Sequence, residues 1–183
     1  MKTITKITDE LKDQICWGAT YEASFLDILT LHFGEPHLHI VHEPCAQKTS
    51  SDRSKELASR RMVSIDGKWE LTLFCKTNWE LTVGDSLTAT PSSPDELRMK
   101  VMAWLNGQKF KGLLVNPDTG ATEFTFDLGA RLKAWRTEKD DSDIWSLRQP
   151  AGLYLGVRGD GTFTCCNGDT QRNEQQPIKI SDC

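Results

Sequence analysis

Along most of this chain apolar and polar residues alternate one by one, the period of a strand with one buried face. Leu29, Leu31 and Phe33 follow this rule after Phe25, as do Trp69, Leu71 and Leu73, then Trp79, Leu81 and Val83. The second half repeats the grammar at residues 110–115, 122–128, 131–136, 144–147, 153–157 and 162–166, with Ile178 and Ile180 as a last edge. Turn residues punctuate these runs, notably at 116–120, Gly129, 149–152 and 159–161. Gly34-Glu35-Pro36 reads as a turn with residues 37–42 returning. Asp66-Gly67 reads as the tight turn of a hairpin, because it supplies the positive φ that a type I′ turn needs.

One stretch breaks the alternation. Leu97, Val101, Trp104 and Leu105 share one side of a helix predicted over residues 93–105. Ser93 stands at the cap, Pro94 at the first turn, and Asp95 and Glu96 oppose the helix dipole before Asn106-Gly107 ends it. Residues 1–20 fit a short helix or an irregular entry strand equally. Residues 44–56 hold little apolar content and read as a mobile loop.

A faint echo links the halves. Leu11, Gln14, Gly18, Leu29, Leu31, Phe33, Gly34 and Leu38 return in order as Leu105, Gln108, Gly112, Phe124, Phe126, Leu128, Gly129 and Leu132. The expectation is a mainly β, antiparallel sheet or barrel-like body, one compact domain over residues 1–183. It would comprise two related halves, about 11–92 and about 105–183, joined by the 93–105 helix, with Gly34 and Gly129 in equivalent turns.

At 183 residues, 38% hydrophobic and 26% charged, the chain is large enough to bury a core without staples. Its formal charge of −4 argues against a nucleic-acid or anionic-membrane partner. No apolar run approaches the roughly 20 residues of a membrane span, and charges break the early chain where a secretory signal would lie. A cytoplasmic setting follows, so Cys16, Cys45, Cys75, Cys165, Cys166 and Cys183 are read as thiols, with at least one of Cys165 and Cys166 packed as a small hydrophobe.

All four histidines lie between His32 and His42. On a strand His37 and His39 share a face and offer two imidazoles to one metal, with Glu43 or Cys45 as a further ligand. His37-x-His39 followed by Glu43 resembles part of the first metal motif of the cupins, which are metal-binding β-barrels. The resemblance spans about a dozen residues and implies a metal-dependent enzyme. It departs from the pattern at Leu31, where a glycine is expected, and in having no later histidine. The competing reading puts both imidazoles on a strand's solvent face.

The Asp140–Asp143 run lacks the rest of a calcium loop and reads as a solvated acidic loop, and the glycines from Gly156 to Gly161 read as a hairpin turn. Arg131 and Lys133 share a strand face with Trp135. Of six tryptophans, Trp69, Trp79, Trp104 and Trp145 sit in apolar patterns and belong to the core, whereas Trp17 and Trp135 lie in mixed surroundings and are the candidates for exposed, interface tryptophans. No catalytic constellation emerges. The expected function is a non-catalytic binding protein acting on another protein, of which toxin-neutralising (immunity) proteins are an example, with no cofactor. Trp17, Trp135, Arg131 and Lys133 are its candidate contacts. The alternatives are the metal enzyme and a small-ligand carrier with an apolar cavity.

Overall fold

The computed structural model describes residues 4–22, 27–41, 62–84, 87–168, 170 and 174–182. Its elements run α1 (Ile4–Asp9), β1 (Cys16–Glu22), β2 (Ile28–Val41), β3 (Met62–Leu73), β4 (Asn78–Val83) and β5 (Leu87–Ala89), then helix α2 (Asp95–Leu105). The second half supplies β6 (Phe110–Val115), β7 (Thr122–Phe126), β8 (Arg131–Trp135), β9 (Asp143–Arg148), β10 (Leu153–Arg158), β11 (Thr162–Asn167) and β12 (Ile178–Lys179). The fold is mainly β, in two antiparallel sheets that do not close into a barrel.

The sheets exchange strands. One has the order β1-β2-β3-β9-β10-β11-β12 and the other β5-β4-β8-β7-β6. The chain leaves the first sheet after β3 and joins β8 in the second as β4; it leaves the second after β8 and joins β3 in the first as β9. The two crossovers tie to each other: Thr77 donates through Oγ1 to the Ile144 carbonyl (3.0 Å), and Asn78 Nδ2 to Thr137 Oγ1 (3.0 Å). A single buried cluster draws on both sheets. In it Phe33 of β2 stacks on Phe126 of β7 with ring centroids 6.4 Å apart, and Phe124 of β7 meets Trp145 of β9 edge-on. Alternation sorted these side chains as expected: β4 reads intermediate–buried throughout, and β8 exposed–buried.

The segments entering β1 and β6 trade hydrogen bonds reciprocally. The Asp13 amide donates to the Phe110 carbonyl (2.8 Å) and the Gly107 amide to the Cys16 carbonyl (2.8 Å); the Cys16 amide donates to Gln108 and the Phe110 amide to Gln14. Asp13 (φ 64°) and Gly107 (φ 90°) both turn through the left-handed region, and α1 packs on β6 while α2 packs on β1. The first matches of the sequence echo, Leu11 with Leu105 and Gln14 with Gln108, thus fall at corresponding places. The glycine match does not. The Gly34 amide donates to Ile15 (3.0 Å) as the Asp127 amide donates to Lys109 (3.0 Å), so Gly34 corresponds to Asp127. Gly34 (φ 75°) sits inside β2, whereas Gly129 (φ 88°) sits in the turn between β7 and β8.

Two expected hairpins are absent for the same reason. Gly34-Glu35-Pro36 and Asp66-Gly67 lie opposite one another within the long β2–β3 ribbon, where pairing steps from Phe33↔Trp69 to Pro36↔Gly67. Gly34 and Glu35 of β2 oppose Lys68 alone of β3, so Gly34 provides the positive φ of a bulge and the ribbon continues. Gly67 makes that bend possible, since a Cβ there would lie 2.7 Å from both the Phe33 nitrogen and the Trp69 oxygen. The expected loop at 44–56 lies outside the described residues.

Helix α2 forms, but not with the expected cap or face. Pro94 is its N-cap without a side-chain cap bond, and Ser93 Oγ instead accepts the Thr90 amide at 3.0 Å. The buried arc is Val101, Leu105, Arg98 and Met102, so Trp104 falls just beyond it and is 61% exposed rather than core. Arg98 is buried because its guanidinium is consumed locally. It donates to the Pro91 carbonyl (2.7 Å), Ser93 carbonyl and Asp95 carboxylate, and lies over the Tyr21 ring. Neither Cys165 nor Cys166 is fully buried, so neither packs as a core residue. The acidic run is partly structural: Asp140 accepts the Ser142 amide and pairs with Arg136, and Asp143 faces Arg158 at 3.4 Å.

Candidate binding surfaces

Of the expected metal ligands, only His37 has a described side chain. His37 is exposed on the ribbon, paired in register with Asp66, and His39 lies on β2 opposite Ser64. Glu43 and Cys45 lie outside the described residues. The two sheets do not close into the barrel that the cupin resemblance implies.

The histidine that does meet carboxylates is His32, with Asp66 and Glu70 around it. This group is already satisfied in other ways. His32 Nδ1 accepts the Gly67 amide at 3.1 Å, which occupies the lone pair a metal would use. Glu70 Oε2 lies 3.8 Å from that nitrogen but 3.2 Å from the Arg148 guanidinium, which also donates to the Gly67 carbonyl. A cation beside the carboxylate opposes a second cation, so the donor set does not fit a divalent ion. Its work is to clamp the ribbon bend. Trp17 joins in, stacking on His32 at 5.2 Å and donating its indole N–H to the Gly34 carbonyl at 2.7 Å.

This clamp belongs to a lateral row on the outer face of the seven-stranded sheet. Trp17, His32, Glu70, Arg148, Tyr154 and Cys166 are successive register partners across six strands. Burial raises the Cys166 thiol above its ordinary pKa, with the neighbouring Cys165 adding to it, so it is not an activated nucleophile.

Arg131, Lys133 and Trp135 all point outward from β8, as alternation required. They do not form a basic strip. Lys133 is paired in register with Glu80 on one side and Glu123 on the other, and its Nζ lies 3.8 Å from Glu80 Oε1. Arg131 lies between Thr82 and Thr125 and has no charged partner among the described residues. Beside them runs a groove of about 440 Å³ lined by Leu114, Val115, Ala121 and Trp135, with Glu123 and Lys133 on its polar side. Leu114 is 74% exposed and Trp135 36%. The sequence pointed to Trp135 through its charged surroundings. The signal for Leu114 is the Leu113-Leu114 pair, which breaks the alternation of β6 so that one of two adjacent leucines must face outward.

No described helix is long and apolar enough to cross a membrane. No family model, curated protein or solved structure matches this chain.

Proposed function

We propose that this is a non-catalytic binding protein, cytosolic in setting, that holds a protein partner against the outer face of its five-stranded sheet. The observation that carries the reading is the exposed pair Leu114 and Trp135 flanking an apolar groove on an otherwise polar face. Exposed aromatic and aliphatic side chains around a concave strip are the usual anchors of an interface. Arg131 supplies a cation two residues from Lys133 on the same face, and Lys133 is already balanced by glutamates. The partner segment this arrangement suits inserts an apolar side chain into the groove and places a carboxylate on Arg131.

The test is photo-crosslinking in the native host from p-benzoylphenylalanine placed at position 114. The expected result is one heterologous adduct, retained in Arg131→Lys, weakened in Arg131→Glu and lost in Trp135→Ala, with unchanged circular dichroism. A homodimer adduct alone, no adduct, or an adduct indifferent to these substitutions overturns the reading.

A further inference from the structure

We propose a second, independent site: a depression centred on Gly156, on the outer face of the seven-stranded sheet, that binds a neutral polyhydroxylated small molecule of monosaccharide size. Strand β10 points Tyr154, Gly156 and Arg158 to this face, so it presents a phenol, a gap and a guanidinium in succession. The gap falls beside hydroxyls. Gly156 is the register partner of Ser146 on β9 and of Thr164 on β11, and Ser146 is in turn the partner of Thr72 on β3. A Cβ at Gly156 would lie 3.2 Å from Thr164 Oγ1 and 3.5 Å from Asp143 Oδ1, so any larger residue would fill the floor. The resulting cavity holds about 280 Å³, near the lower end of small-molecule sites.

Its chemistry selects the ligand. The hydroxyls of Ser146, Thr164 and Tyr154 have no hydrogen-bond partner among the described residues, and each both donates and accepts. Asn167 and Gln175 add amide groups at the rim. Among the described residues the opposed full charges at the site offset each other: Asp143 lies 3.4 Å from buried Arg158, whose Nη2 donates to Gln175 Oε1 at 3.1 Å. A charged ligand would lose hydration there without a counter-charge in return, whereas a polyol exchanges hydroxyl for hydroxyl. Tyr154 offers a ring for the apolar side of a sugar. Gly168 packs so close that a Cβ would sit 2.8 Å from Tyr154 Cε2, which holds the ring in place.

The test is an amide-resolved NMR titration of the full chain with glucose, galactose, mannose and myo-inositol, each to about 50 mM, the range in which a single weak site saturates. At least one probe is expected to give saturable shifts at Ser146, Gly156 and Thr164. Gly156→Val and Tyr154→Ala should each weaken that binding by about tenfold or more. Should Gly156→Val not fold, Tyr154→Ala together with Ser146→Ala decides the matter. Inorganic phosphate and tetramethylammonium should leave these amides unmoved. The proposal fails if no probe saturates, if folded variants bind as the parent does, or if either ion shifts the same amides as strongly as the sugars.

Discussion

Trp79 and Trp145 offer a paired comparison, because both are buried with a similar edge-on aromatic contact and differ at the indole N–H. Both are fully buried, each starts a Trp-x-Leu run, and each reaches into the other half of the chain through strand exchange. Tyr21 meets Trp79 with centroids 5.4 Å apart at 73°, and Phe124 meets Trp145 at 5.4 Å and 72°. Their indole N–H groups differ. Trp145 Nε1 donates to Thr122 Oγ1 at 2.8 Å, while buried Trp79 Nε1 has no partner among the described residues. Replacing either residue by Phe removes the same atoms, for a shared packing cost on the order of 1–2 kcal/mol. Trp145→Phe also loses a buried hydrogen bond, a further net cost of about 1 kcal/mol. Thr122 still donates to the Gly120 carbonyl at 2.8 Å, so its hydroxyl is not stranded. Trp79→Phe instead removes an unsatisfied buried donor, which returns about 1–3 kcal/mol. Trp145→Phe should therefore be the less stable variant by about 2–4 kcal/mol. Urea unfolding followed by far-ultraviolet circular dichroism measures this without relying on the altered fluorophores; at a typical slope the midpoints should differ by about 1 M or more. Equal midpoints, or a lower one for Trp79→Phe, would refute the assignment.

Gly120→Ala should destabilise by more than about 3 kcal/mol, since its Cβ would lie 2.1 Å from the Arg158 oxygen, while Gly129→Ala has open space and should cost about 1 kcal/mol for its positive φ alone; thermal unfolding of the pair checks the ranking. Gly67→Ala, crowded by backbone on both sides at 2.7 Å, should behave like Gly120→Ala and should loosen the ribbon bend, seen as faster hydrogen exchange at the Phe33 and Gly34 amides. Burial pushes the Cys16 thiol up to about 12 from its ordinary value of 9.0. The unfolded chain then releases this proton first, so the stability held below pH 9 is lost as pH rises toward 12, at about 1.4 kcal/mol per pH unit. Cys16→Ala should lack that part of the slope; a parallel pH dependence in both proteins would disprove it.

Much of the local structure was legible in the chain. Period-two alternation located β4, β6 to β11 and the core residues Phe33, Trp69, Trp79 and Trp145, because a strand's two faces meet different solvents and each position records its own face. The outward direction of Arg131, Lys133 and Trp135 followed from the same rule. What alternation does not record is the partner strand. That β4 would pair with β8, and β9 with β3, depended on contacts between segments distant in sequence. The candidate surfaces inherit this limit: the Gly156 depression takes hydroxyls from β3, β9 and β11, and the His32 clamp takes residues from β1, β2, β3 and β9. Gly34 and Asp66-Gly67 show the limit at its smallest scale. A residue free to adopt positive φ, or one without a Cβ, serves a turn or a bulge equally well. Only the strand lying opposite decides whether the chain reverses there or runs on. Trp104 makes the same point for the helix: the sequence drew an apolar stripe, and the arc that β1, β4 and β5 cover was a neighbouring one, because burial is set by the surface a helix lands on.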